Sequence, residues 1–256
     1  MDILSKKYFK IYQENLEKDF EKKVNFFLEK CRNSELKELD FDYLLEAAAV
    51  YSSNIEGNSM DLNSFMNSKL MREKNKPKEF REIQELKEAY QFAQKHKLTE
   101  ENFLTVHQLL SKSFLIKSKQ GKYRDDRIAV YDAHGLVYLA IEEEFVQKEM
   151  QKLFLHIAEI LKKDLSILEI FYYSAMLHLN FVHIHPFGDG NGRAARLLEK
   201  WFLVEALDEF MWYLESEKYY KDKKSKYYKN LNLGPNYYEL NYDNCLEFLL
   251  MITKIF

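Results

Sequence analysis

The chain has 256 residues but only 7 glycines and 3 prolines, where average usage would give roughly 18 and 13. Turns and left-handed backbone positions draw on those residues, so the shortage argues against loop-rich all-β, doubly wound, collagen-like and low-complexity chains. Lys and Arg number 38 against 41 Asp and Glu, a net charge of −3 that supplies no overall basic field for nucleic acid.

Helical periodicity dominates the chain. Residues 3–31 read as one amphipathic helix. Charges interrupt this segment every few residues, so it lacks the apolar core of a signal peptide. Phe41 to Ile55 reads as a second helix, with Ala47, Ala48 and Ala49 marking close packing. A short helix follows over 61–71. Pro77 suits an early helix position, opening a helix to about His96. Thr99 is the expected N-cap of the next helix, which reaches about Leu115, with Glu100 and Glu101 in its first turn.

Gly121 to Ala140 breaks the pattern. Ile128 to Tyr131 and Leu136 to Leu139 read as two strands joined by Asp132-Ala133-His134-Gly135, the one convincing hairpin. Helices are predicted again at about 142–162, 166–182, 191–207 and 237–254, with shorter ones near 211–217 and 220–231. Leu165 to Ile184 is the most apolar stretch, but it carries Glu169, Asn180 and two histidines, which suits a buried core helix better than a membrane span. Cys31 and Cys245 are too few for a disulfide framework. These signs lead to an expectation of a soluble, cytoplasmic, all-α protein with a hairpin insert and without a nucleic-acid or membrane partner. Its Lys, Tyr and Phe usage suggests an AT-rich bacterial genome.

The chemistry concentrates where the apolar helix ends. His183-Ile184-His185-Pro186 is followed by Phe187-Gly188-Asp189-Gly190-Asn191-Gly192-Arg193, and a new helix opens with Ala194-Ala195-Arg196. A glycine-rich turn at a helix N-terminus offers free backbone N–H groups and a favourable dipole to an anion. The spacing is neither a P-loop nor the dinucleotide fingerprint. Asp189 is a hard oxygen ligand suited to Mg²⁺ beside phosphates. Arg193 and Arg196, three apart, share a helix face and can take separate phosphates. His185 can accept a hydroxyl proton near neutral pH. A base, a metal ligand and an anion site within a dozen residues describe phosphoryl or nucleotidyl transfer.

His185 to Arg196 resembles the Fic motif, H-x-F-x-[D/E]-G-N-G-R-x-x-R, at every specified position. The resemblance, which extends over roughly residues 40–250, implies the Fic fold, a helical bundle with a β-hairpin flap. It divides the chain into an N-terminal helical extension (1–37) and a Fic domain (38–256). It implies transfer of AMP from ATP, with Mg²⁺, to a Tyr, Thr or Ser hydroxyl of a protein, this chain included, and a homodimer as a further expectation. The implied roles follow position by position. His185 is the base and Phe187 pins the loop. Asp189 holds Mg²⁺. Gly188, Gly190, Asn191 and Gly192 form the phosphate-binding loop, Arg193 meets the β-phosphate region and Arg196 the γ-phosphate. The phosphorylating branch of the family departs from Gly-Asn-Gly-Arg here and this sequence does not, which favours AMP transfer.

Ser52-Ser53-Asn54-Ile55-Glu56-Gly57 resembles the Fic inhibitory motif, [S/T]-x-x-x-E-[G/N], at the end of a helix (about 42–57) N-terminal to the core. That position resembles the class with an N-terminal inhibitory helix (class II). It implies that Glu56 pairs with Arg196 and occupies the γ-phosphate site, with Ser52 and Gly57 completing the motif. In some relatives the equivalent Glu also helps water remove AMP, so reversal belongs to the expectation. The hairpin (about 125–140) resembles the Fic flap, with Ile128, Ala129 and Val130 as the target-docking edge. Ser225 to Tyr228 resembles a segment lining the adenine pocket, which makes Tyr228 a nucleotide contact.

Blander readings stand beside these. His183 is expected to pack or cap its helix, and His178, His183 and His185 lack zinc spacing. His96, His107, His134 and His156 read as surface or core residues. The Lys218–Lys229 run with its tyrosines reads as a solvated face rather than a nucleic-acid patch. Alternatives to AMP transfer are kinase-like or other nucleotidyl chemistry on the same fold, a non-catalytic nucleotide-binding regulator, and a nucleic-acid-binding module.

Overall fold

The computed structural model describes residues 3–33, 38–71, 75–132 and 135–256. In chain order the helices are α1 (Phe9–Asn15), α2 (Phe20–Asn33), α3 (Glu38–Ile55), α4 (Leu62–Leu70), α5 (Lys78–Ala93) and α6 (Glu100–Leu110). Strands β1 (Ala129–Asp132) and β2 (Gly135–Leu139) follow. Then come α7 (Glu143–Ile160), α8 (Ile167–Ile184), α9 (Asn191–Ala206), α10 (Ser216–Asp222), α11 (Lys224–Leu231) and α12 (Leu246–Leu249). The molecule is mostly helical with one antiparallel hairpin, as expected.

Helix α8 forms the axis of the bundle. Ser166 and Glu169 close a reciprocal capping box at its start, satisfying two amides that the helix leaves without partners. Nearly every side chain from Ile170 to Ile184 is buried, so the helix is apolar all round and requires neighbours on every side. It is long and apolar enough to cross a membrane, yet 78% of it is buried inside the molecule. Its most extensive partner is α9. Helices α3, α5 and α6 form a second layer, where Ala47, Ala48 and Ala49 let α3 lie close to α5 and α10. Thr99 Oγ1 accepts from Asn102 N at 3.2 Å, the expected cap of α6.

Several boundaries differ from the sequence expectation. The helix expected over 3–31 is broken. Leu16 is extended, the Asn15 side chain turns back to the Ile11 carbonyl, and α2 restarts at Phe20. The break aims Phe20 at Phe171 and Phe256, so the N-terminal helices share the α8 core. The domain boundary expected at 37–38 adjoins residues 34–37, which lie outside the described residues. Pro77 is extended and α5 begins at Lys78, after it. Helix α6 stops at Leu110, five residues early. The helices expected at 211–217 and 237–254 are instead short turns. The first is a 3₁₀ turn at Glu209–Tyr213 followed by α10. The second divides into two 3₁₀ turns, each capped by an asparagine (Asn236, Asn241), then α12 and a last 3₁₀ turn. Asn side chains that accept local amides favour turns over helix continuation. Ile128 lies one residue before β1, although its carbonyl still accepts from Ala140 N at 3.1 Å. Ala133 and His134 of the expected turn lie outside the described residues.

Candidate active site

The loop between α8 and α9 depends on two left-handed backbone positions and one side-chain bridge. His185 caps α8 in the left-handed region (φ 51°, ψ 59°), an uncommon place for a residue with a side chain. Gly190 sits at φ 81° immediately before α9, where glycine pays no steric penalty. Asn191 bridges the loop, its Oδ1 accepting from Phe187 N (2.9 Å) and its Nδ2 donating to Phe187 O (2.8 Å). The first amides of α9 have no partner within the helix and open onto the site.

Residues outside the motif hold this loop. Phe187 is fully buried and stacks on His107 at 3.5 Å between ring centroids, 4° from parallel. His107 Nδ1 accepts from Gly121 N (3.1 Å), so its Nε2 carries the proton and donates to Asp189 O (3.0 Å). Burial pushes the His107 pKa down to about 4, which keeps this tautomer at neutral pH. Arg124 donates to the carbonyls of His185 (2.8 Å), Ile141 (2.5 Å), Asp126 (2.8 Å) and Ile184 (3.4 Å), and its own amide donates to Pro186 O (2.9 Å). Tyr138 in β2 adds a bond to His183 O (2.6 Å). The hairpin base therefore satisfies the carbonyls that α8 leaves open at its C-terminus. Sequence reasoning missed Arg124 and set His107 aside, because both act on backbone carbonyls distant in the chain.

The two motif arginines meet different surroundings. Arg196 is fully buried. It donates Nε to Ser52 Oγ (2.9 Å), Nη2 to Ser52 O (2.9 Å) and to Glu56 Oε1 (2.7 Å), and Nη1 to Tyr227 Oη (3.2 Å). The expected Glu56–Arg196 pair is present. Glu56 also lies over the N-terminus of α9, where a Cβ on Gly192 would collide with its carboxylate. Gly57 turns the chain at φ 98° immediately afterwards. Arg193 has no such tight partner. Its nearest carboxylates are Glu82 (3.6 Å) and Asp189 (3.7 Å), its guanidinium stacks over Phe114 (3.8 Å), and its buried Nε donates to none of the described residues. Burial pushes its pKa below the usual arginine value, against the pull of Asp189, Glu56 and Glu82.

His185 Nδ1 faces the Val182 carbonyl at 3.3 Å, and a carbonyl only accepts, so Nδ1 carries the proton. Nε2 keeps its lone pair and makes no hydrogen bond to the described residues. Burial pushes the ring pKa down to about 4, so the imidazole is neutral at pH 7. Asp189 is exposed and its Oδ1 accepts from Gly190 N (2.5 Å), leaving the other oxygen open. Among the described residues no cluster of three His, Cys, Asp or Glu side chains forms a preassembled metal site.

The remaining expected site residues lie around the loop as follows. His183 bonds Tyr242 Oη and Leu231 O, both at 2.8 Å, as the bland packing role predicts. His178 lies between Tyr227 Oη (2.9 Å) and Glu199 Oε2 (3.2 Å). Tyr228 is partly exposed and donates to Ile55 O (3.0 Å), against the end of α3. In the hairpin, β2 also meets the 235–236 segment through Leu139 N and Pro235 O (2.9 Å). Ala129 and Val130 lie on β1, whose other side pairs with no strand among the described residues.

Residues 97–203 match the Fic/DOC family. A protein adenylyltransferase Fic from Nematostella vectensis is 28% identical over 166 residues, covering 61% of this chain and 37% of that protein. One of the same name from Aedes aegypti is 59% identical over 34 residues, 13% of this chain and 7% of its own. The chain thus spans well under half the length of the curated relatives it matches. Among solved structures, a Fic family protein from Desulfovibrio desulfuricans G20 superposes with a TM-score of 0.74 at 21% identity, covering 94% of this chain and 73% of the other. A Fic domain containing signaling protein from Bacteroides thetaiotaomicron gives 0.65 at 20% identity, over 98% and 90%. With the motif loop, the bundle and the hairpin in agreement, the chain has the Fic fold and carries over residues 97–203 a region that matches the Fic/DOC family.

Proposed function

We propose that the protein transfers AMP from ATP to a Tyr, Thr or Ser hydroxyl of a protein and is held inactive by Glu56, as in the class with an N-terminal inhibitory helix. The observation that carries this reading is the Glu56 carboxylate, bonded to Arg196 and lying over Gly192. An anion site occupied by the chain's own anion is one that another anion can take when Glu56 leaves.

In the transfer, His185 Nε2 takes the acceptor hydroxyl proton. The hydroxyl oxygen forms a bond to the α-phosphorus of ATP as the bond to the pyrophosphate oxygen breaks. The neutral imidazole suits that role, and its αL backbone aims the ring out of the end of α8. The open amides of α9 and the unsatisfied Arg193 Nε are donors awaiting a phosphate oxygen. Asp189 fits Mg²⁺, which takes one or two carboxylates together with substrate phosphates. Bound there, the ion would neutralise phosphate charge. Glu56 beside the site also supports a hydrolytic removal of AMP, in which water attacks the α-phosphorus of the modified protein and the freed hydroxyl and AMP leave.

The test is incubation with α-labelled ATP and Mg²⁺, using Glu56→Gly with and without His185→Ala. Label on protein that depends on His185 is the expected result. Label from the γ-phosphate instead would transfer the assignment to kinase-like chemistry. Absence of any label would point to a nucleotide-binding regulator.

A further inference from the structure

Arg196 makes four hydrogen bonds, and three of them go to α3 and the turn after it: two to Ser52 and one to Glu56. The fourth goes from Nη1 to Tyr227 Oη on α11. Nη1 is also the nitrogen nearest Gly192, within 3.2 Å of where a Cβ there would stand, so it faces the anion site. When Glu56 and its turn withdraw, Tyr227 is the one hydrogen-bonding partner that does not belong to the inhibitory segment.

Tyr227 is itself held from behind. Arginine only donates, so the Tyr227 oxygen accepts from Arg196 and its proton is free to go elsewhere. It points to His178 Nε2 at 2.9 Å. His178 Nδ1 then faces Glu199 Oε2 at 3.2 Å, and Tyr220 Oη donates to the same carboxylate at 2.9 Å. Each of these side chains is at most 1% exposed. The directed bonds run from Arg196 through Tyr227 to His178, while His178 Nδ1 lies within reach of the Glu199 carboxylate without an aligned hydrogen bond to it, so the carboxylate holds the ring through its charge.

We propose that Tyr227, backed by His178 and Glu199, is the positioning residue that keeps Arg196 aimed at the terminal phosphate of a nucleoside triphosphate once Glu56 has left. The proposal rests on the ATP reading above and adds to it an anchor independent of α3. It ties that anchor to one phosphate, so ATP and ADP must respond differently. A role in general packing would weaken both nucleotides alike.

The experiment measures ATP and ADP binding by calorimetry in a Glu56→Gly/His185→Ala chain, which cannot turn over. Tyr227→Phe keeps the ring and removes the hydroxyl. It is expected to weaken ATP about tenfold and leave ADP within about twofold. Glu199→Gln, a near-isosteric change at the far end, is expected to act in the same direction by about threefold. Equal losses for the two nucleotides, or loss for neither, overturn the relay and leave the ATP reading standing. Failure of the reference chain to bind ATP overturns both.

Discussion

The motif loop and the hairpin lie side by side, yet they are built in opposite ways. From His185 to Asn191 the loop is held by two groups outside it, Arg124 on the His185 carbonyl and His107 on the Asp189 carbonyl, and by one of its own, Asn191, on both sides of Phe187. Among the described residues the hairpin is held at its base, through Tyr138 and the 235–236 segment, and its outer part exposes Tyr131 (70%) and Leu136 (57%). Phosphate chemistry needs donors fixed to within a fraction of an ångström. Docking a protein chain needs an open edge. Arg124 joins the two regions, so the end of the hairpin segment and the His185 turn share one anchor.

The sharpest way to break that contrast is Arg124→Gln. The substitution removes the donors that hold the His185 carbonyl and the end of α8, so the left-handed turn can relax. Transfer by a Glu56→Gly chain is expected to fall about 100-fold in kcat, with ATP affinity little changed, since the misplaced group is His185, the proposed base. Steady-state kinetics with α-labelled ATP checks it. A matching loss of ATP affinity would mean that Arg124 holds the whole site rather than the base. His107→Phe should do less. It keeps the stack on Phe187 and loses the bond to Asp189 O, and a loss of about tenfold in kcat/KM is expected, read most clearly as a higher Mg²⁺ requirement.

These two residues also mark the limit of what the sequence could reveal. His185 to Arg196 was legible because the residues with the proposed roles of base, metal ligand and phosphate donors all lie on one loop and the helix turn after it. The Ser52–Gly57 motif was legible as a pattern, but its occupation of the space over Gly192 is a tertiary fact. Arg124 and His107 reach backbone carbonyls 61 and 82 residues away. A carbonyl belongs to every residue, so such a partner leaves no mark on composition or spacing. The broken first helix has a similar cause: its amphipathic pattern runs on through Leu16, while the target of Phe20 lies on α8 and at Phe256. At 237–254 the apolar spacing survives, but Asn236 and Asn241 cap separate turns instead of allowing one helix.

Acid offers a middle-sized test of the contrast. His107 and His183 are both held neutral by burial, with pKa values near 4. In the unfolded chain a histidine titrates at about 6.5, so between these values the unfolded state binds more protons. The stability these residues retain is complete above about pH 6.5 and is lost as the pH falls towards 4. A shift of that size corresponds to an upper value of about 3 kcal/mol per histidine. Urea unfolding at pH 7.5, 5.5 and 4.5 should show the midpoint falling steeply below 6.5. His183→Gln should flatten the slope while lowering stability at neutral pH. A midpoint independent of pH would show that neither ring is kept neutral.

The smallest expected effect belongs to the hairpin. Tyr131→Ser and Leu136→Ser change exposed side chains that pack on little, so stability should stay within about 0.5 kcal/mol. ATP binding should not change, because neither residue touches the loop. The KM for a protein acceptor should rise, by about threefold to tenfold, through lost apolar contact. A larger effect is not expected. If an acceptor adds alongside β1, most of its affinity comes from main-chain hydrogen bonds, which side-chain substitutions leave in place. Kinetics with a protein acceptor identified by α-label transfer would separate the cases. A fall in kcat with KM unchanged would mean that the hairpin shapes the chemical step, and the division between a fixed loop and an open edge would no longer hold.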